Sequence, residues 1–208
     1  MFYTDKAEPL CMAFLMVEGF SMMSLASAAE PLRAANRLLG RDAFRWDLCS
    51  IDGLPVLASS QIPFPAIHVD QAMKRNHALF LCGGARVDPH DERPYLAAMR
   101  RAARHGLAIG ALSTASYLLA KAGLLEGYRC TIHWENRAVL EEAFPDLQIT
   151  GTLYEIDRSR LTCSGGTASM DMMLHIIADL YGRDLANGVA KAIIGLPGPE
   201  AAAPTPPG

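Results

Sequence analysis

Leu107–Ala122 reads LAIGALSTASYLLAKA, and its two halves follow different rules. Leu107–Leu112 is a continuous apolar run of strand length, the pattern of a strand buried on both faces. Ser113 ends it. Thr114–Ala122 then takes up a helical pattern at once, and Gly123 stops it. Small residues line the joint: Gly110, Ala111, Ala115 and Ser116. A strand that turns directly into a helix needs such neighbours, because the backbones approach closely there. The turn also holds its hinge residue, Ser113, in a strained conformation at the carboxyl edge of a sheet, with the helix amides aimed into the same space. This is the construction of a nucleophile elbow. The Ser113 hydroxyl at its tip can bind a ligand, attack one, or do neither.

Strand and helix patterns alternate on both sides of this joint. Cys11–Val17, Phe44–Ile51, Ala78–Cys82, Cys130–His133, Ile149–Ile156 and Leu161–Cys163 read as strands. Ser21 caps a helix over Met22–Ala29. Glu30-Pro31 interrupts it, and Pro31 opens a second helical piece that runs through Leu39 and ends at Gly40. Asp91–His105, Glu135–Phe144 and Thr167–Tyr181 are further helices, and Asp184 caps a last one through Ile194. Arg93, Arg100, Arg101 and Arg104 read as a solvated basic face. Asp52–Phe64, with Gly53, Pro55 and Pro63, reads as a hairpin or an irregular excursion. Strands alternating with helices require crossover connections. The fold class is therefore α/β, with a mainly parallel sheet covered on both faces.

Ligands in such folds bind outside the carboxyl ends of the strands. Glu18-Gly19, Gly83-Gly84, Ser113-Thr114, His133-Trp134 and Gly165–Thr167 each follow a predicted strand. Five separate segments thus converge on one edge.

Composition narrows the function classes. Half of the 208 residues are hydrophobic, enough for one packed domain. A formal net charge of −3 argues against nucleic-acid binding by this segment alone. MFYTDKAEPL lacks the basic and apolar regions of a signal peptide, and no apolar run is long enough to span a bilayer. The expected location is the cytoplasm. Cys11, Cys49, Cys82, Cys130 and Cys163 are odd in number, lie in strand-like runs and form no C-x-x-C pair, so they read as reduced buried thiols. His68, His77, His90 and His175 show no ligand spacing, and no metal or cofactor is expected.

The ordered segments FLMVEGFSMMSLASAAEPLRAANRL, LFLCGG, IGALSTASYLLAKAGLLEG, TIHWEN and TCSGGTASMDMMLHIIADLYG resemble the ThiJ/PfpI superfamily. They are more closely similar to the PfpI-like sensor domain at the N-terminus of GlxA-type regulators of the AraC/XylS family, from about Cys11 to Ile194. The resemblance implies a flavodoxin-like three-layer sandwich of the class I glutamine amidotransferase type, usually dimeric. It divides the chain into a ligand-sensing domain, 1–195, and a Pro/Ala-rich linker or tail, 196–208. A helix-turn-helix domain that binds DNA is expected downstream and is absent from this sequence. Enzymes of the superfamily carry a cysteine at the elbow and an acid soon after the first strand. The matching positions here are Ser113 and Ser24. A thiol ionises near neutrality, whereas a serine needs a positioned base. The resemblance therefore implies a non-catalytic sensor of a small polar effector, amino-acid-like or quaternary amine. The alternative is a hydrolase using Ser113 with His133 as its base.

The candidate ligand-binding residues are Ser113, Thr114, His133, Trp134, Gly83, Gly84, Thr167 and Glu18. Trp134 could hold a cationic headgroup by cation–π attraction or could pack at a dimer contact. His133 could instead fix loop backbone. Glu18 could be a solvated loop acid, and Glu135 could cap its helix. Thr167 and Ser169 could cap theirs or touch an anion. Trp46 reads as core or dimer surface.

Overall fold

β1 (Leu10–Met16) sets the layers of the molecule. Met12, Phe14 and Met16 point into one apolar cluster, and Ala13 and Leu15 into another on the opposite face. The computed structural model describes residues 8–84 and 91–195; residues 1–7, His90 and the 196–208 tail lie outside them. The further strands are β2 (Phe44–Ser50), β3 (Val56–Leu57), β4 (Pro63–Phe64), β5 (Ile67–His68), β6 (Ala78–Cys82), β7 (Ala108–Leu112), β8 (Arg129–Cys130), β9 (Gln148–Ile149), β10 (Tyr154–Asp157) and β11 (Arg160–Cys163). The helices are α1 (Met22–Leu39), α2 (Val69–Met73), α3 (Arg93–Arg104), α4 (Ala115–Lys121), α5 (Arg137–Ala143), α6 (Ala168–Tyr181) and α7 (Arg183–Ile193).

Seven strands form one sheet in the order β10-β11-β7-β6-β1-β2-β5. All neighbours are parallel except β10, which returns antiparallel to β11. Helices α1, α6 and α7 cover one face; α2, α3, α4 and α5 bury residues on the other. β3 pairs with β4, and β8 with β9, as two separate ladders. From β1 the chain winds one way to β2 and β5 and the other way to β6, β7 and β11, so the strand order reverses between β1 and β6. Such a reversal opens a crevice at the carboxyl ends. The α/β sandwich expected from the alternation is the observed architecture.

Several local expectations differ from the structure. Glu30-Pro31 does not divide the first helix: α1 is continuous with Pro31 inside it. The buried stripe Ser24, Leu25, Ala28, Pro31, Leu32, Ala35 runs straight through the proline. Burial of that stripe offsets the one backbone bond that proline removes. Cys130–His133 is not a full strand. Only Arg129–Cys130 pairs, and the Thr131 amide donates instead to the Thr162 hydroxyl. Ile149–Ile156 divides into the end of β9 and the start of β10, because the Thr131 hydroxyl takes the Thr152 carbonyl between them. Gly182, not Asp184, is the N-cap of α7, and Asp184 lies in its first turn. The basic face of α3 is not simply solvated. Arg100 donates to the Lys121 and Ala122 carbonyls at the end of α4, and Arg101 pairs with Asp70. All five cysteines do lie in strands, and four are buried.

Candidate functional site

The elbow has the backbone that its small neighbours require. Ser113 has φ 63°, the left-handed conformation that costs a side chain about 1–2 kcal/mol. The turn is held in place from both sides. The Ser113 amide donates to the Cys163 carbonyl of β11 at 3.0 Å, and the Ser113 carbonyl accepts from the His133 amide at 3.4 Å. The Ser116 hydroxyl ties α4 to the Thr131 carbonyl at 2.7 Å.

The paired glycines serve close approach on both sides of the elbow. A Cβ at Gly83 would lie 2.6 Å from the Thr114 hydroxyl and from the Ala115 nitrogen. A Cβ at Gly84 would run into the Gly19 carbonyl. The Thr114 hydroxyl donates to the Gly84 carbonyl at 2.8 Å, so it clasps the loop after β6 to the elbow. Across the turn, a Cβ at Gly165 would lie 2.7 Å from the Ser113 Cβ. The Gly166 amide donates to the Ser24 hydroxyl at 2.8 Å, joining the start of α1 to the segment before α6. Ser24 is therefore a buried hydrogen-bond acceptor.

Gly83, Gly84, Ser113 and Thr114 thus form one packed floor, with the His133 backbone attached. Ser113 and Thr114 are only 4% and 2% exposed. The other candidates are more open. Glu18 and Thr167 are exposed, and Trp134 is 74% exposed. The His133 ring is partly exposed, tilted beside Trp134 at 5.9 Å between centroids, and its Nδ1 lies 3.7 Å from the Glu135 carboxylate. Thr167 is the N-cap of α6 without a side-chain capping bond. Ser169 is buried instead, with its hydroxyl 3.3 Å from the Cys163 sulfur. Burial pushes the Cys163 thiol up, and the nearby Ser169 hydroxyl and the Gly165 and Ser113 amides oppose this only in part. Cys82, at the end of β6, is pushed well up by burial. Both strand-end thiols are therefore protonated at neutral pH and poor nucleophiles. Among the described residues, no cluster of three His, Cys, Asp or Glu side chains has metal-binding geometry. No helix of the described residues is long and apolar enough to cross a membrane.

Gly165 and Gly19 fall in segments expected at the strand-end edge but were not among the candidate ligand contacts; they pack against Ser113 and Gly84 respectively. A Gly-Gly pair after a strand signals a close approach but does not say to what.

Comparison with known proteins agrees with this architecture. The DJ-1/PfpI family model matches residues 12–179. The HTH-type transcriptional regulator GbdR of Pseudomonas aeruginosa is 42% identical over 191 residues, covering 91% of this chain and 52% of that protein. The HTH-type transcriptional regulator GlxA of Rhizobium meliloti is 38% identical, covering 97% of this chain and 62% of that protein. The chain thus spans between half and two thirds of these relatives' length. The crystal structure of an AraC family transcriptional regulator from Pseudomonas putida superposes with a TM-score of 0.81 at 35% identity, covering 89% of this chain and all of that one. The strand order, the strained elbow and the matched span 12–179 lead to one assignment: the chain belongs to the DJ-1/PfpI family.

Proposed function

We propose that this chain is the effector-binding part of a transcription regulator and performs no chemistry of its own. One observation carries the reading. The elbow keeps its strained backbone, yet its hydroxyl has no base: the His133 imidazole lies beside Glu135, and no hydrogen bond joins it to Ser113 among the described residues. A serine without a hydrogen-bonded base is a poor nucleophile and a good ligand contact. The relatives named as HTH-type regulators support the same reading.

The effector is a small polar molecule, amino-acid-like or carrying a quaternary amine. It sits against the Ser113–Thr114 and Gly83–Gly84 floor, with Glu18, His133, Trp134 and Thr167 as the rim. The exposed Trp134 ring suits a cationic group, a contact of about 0.5–2 kcal/mol, and both it and the Glu135 carboxylate neighbour the His133 ring. DNA would be held by a separate helix-turn-helix part, in a cytoplasmic homodimer whose arrangement the effector shifts.

A thermal-shift screen of amino acids, betaines and polyamines tests this. A ligand at a hundred times its Kd adds about 2.7 kcal/mol, which for a domain of this size raises Tm by about 5–11 °C. Turnover of p-nitrophenyl acetate that disappears in Ser113→Ala would instead establish the serine as a nucleophile.

A further inference from the structure

We propose that the N-terminus of α6, together with the Ser113 hydroxyl, is an oxyanion subsite that takes the carboxylate end of the effector. The proposal rests on the sensing role above and adds a polarity to it.

Two independent observations meet at this place. First, Ser113 is more than nine-tenths buried, yet its hydroxyl takes part in no hydrogen bond among the described residues. Every fully enclosed side-chain nitrogen or oxygen among the described residues has a partner, so this hydroxyl must border open space. It lies close to Gly165, where a Cβ would be 3.0 Å from the Ser113 Oγ. A hydroxyl at the edge of open space with no partner from the chain can both donate to and accept from a ligand oxygen.

Second, the backbone next to that hydroxyl presents amides. Gly165 and Gly166 have φ 89° and 55°, and they lead directly into the first turn of the 14-residue helix α6. Consecutive residues in such conformations, followed by a helix N-terminus, form an amide concavity that favours anions. The Gly166 amide is taken by Ser24, and Ser169 is fully buried, but Thr167 is exposed and its amide enters no hydrogen bond among the described residues. The Thr167 side chain leaves its capping position unused, so its amide is the donor this end of α6 offers to a ligand.

Charge agrees with this division of the cleft. Of the exposed acids, Glu18 and Glu135 stand on the β1 and His133 sides, and Asp171, in the first turn of α6, lies on the side of that helix that faces Tyr154 and His175. A zwitterion would place its anion on α6 and its cation toward Glu18 and Glu135. A carboxylate fits better than a metal-bound or doubly charged anion, because no Lys or Arg side chain is joined to Ser113, Gly165, Gly166 or Thr167 among the described residues.

The test uses matched probes that differ only at the carboxylate: glycine betaine with choline, arginine with agmatine, and lysine with cadaverine. Each is titrated by calorimetry and thermal shift against the unaltered protein and against Ser113→Gly. Glycine accepts the left-handed backbone without strain, so this variant removes the hydroxyl and keeps the fold. The expected result is that at least one acid binds, that its decarboxylated partner binds at least tenfold more weakly, and that Ser113→Gly weakens the acid five- to twentyfold while leaving the amine unchanged. Equal binding of acid and amine, or an acid affinity unmoved in Ser113→Gly, overturns the subsite and leaves the sensing role standing. No shift with any probe overturns the sensing role for this ligand class, and the subsite with it.

Discussion

Replacing Gly165 with alanine tests how tightly the elbow is enclosed. At Gly165 φ is 89°, and an added Cβ would meet the Ser113 Cβ at 2.7 Å, its Cα at 2.9 Å and its Oγ at 3.0 Å. Gly106, in the turn between α3 and β7, is the matched control: φ is 82° and nothing lies within 4 Å of its added Cβ. Both substitutions put a side chain in the left-handed region, at about 1–2 kcal/mol each. Only Gly165→Ala also overpacks a buried wall, which adds about 1–3 kcal/mol. Each kcal/mol lowers Tm by about 2–4 °C in a domain of this size. Gly106→Ala should therefore lose about 2–8 °C, and Gly165→Ala a further 2–12 °C. Calorimetry and urea unfolding on both variants, with unchanged m-values, measure the difference. If the two proteins melt together, Gly165 is not a constrained contact and the enclosure of Ser113 described above is wrong.

Other perturbations have equally definite outcomes. Ser113→Gly relieves the strained φ of 63° and should raise stability by about 0.5–1 kcal/mol, read from the urea midpoint; a loss would show that the hydroxyl has a stabilising partner. Ser24→Ala strips the Gly166 amide of its acceptor and should cost about 1–3 kcal/mol, whereas Ser24→Thr, which keeps a hydroxyl, should cost less. Burial pushes the thiols of Cys49 and Cys130 up to about 12 and about 11, against about 8.5 in an unfolded chain. The unfolded chain therefore releases these protons first as pH rises. Stability from these groups is complete below pH 8.5 or so and falls toward pH 11–12. Urea midpoints between pH 7.5 and 10.5 under reducing conditions should fall, and fall less in Cys49→Ala. In native labelling with a thiol reagent, Cys11 should react well before the four buried cysteines.

The elbow and its sheet were legible in the sequence because they depend on short-range patterns. Leu107–Leu112 could only be a two-faced strand, and the small residues around Ser113 admitted a sharp turn. The features that escaped depend on contacts far along the chain. Pro31 breaks a helix by local rules, and the buried stripe that carries α1 through it is set by the sheet beneath. Thr131 reads as strand until its hydroxyl and amide are claimed by Thr152 and Thr162, about 21 and 31 residues away. Thr114 reads as a ligand contact, yet its hydroxyl clasps the Gly84 carbonyl, a partner that the sequence gives no means to foresee. Trp134 was read equally as a pocket wall or as packing; it is exposed in the structure, so it does not pack into the core.

The bond between the Ser24 hydroxyl and the Gly166 amide spans 142 residues. Its consequence concerns the order of assembly on the ribosome. The first strand and α1 emerge early, but the cleft they border cannot close until β11 and the turn after it have been made. At about 5–20 residues per second, that delay lasts roughly seven to thirty seconds. During that interval the nascent chain would have no competent pocket, so an effector could not stabilise it. Chains truncated before residue 165 should therefore be insensitive to ligand even where the early strands have already formed.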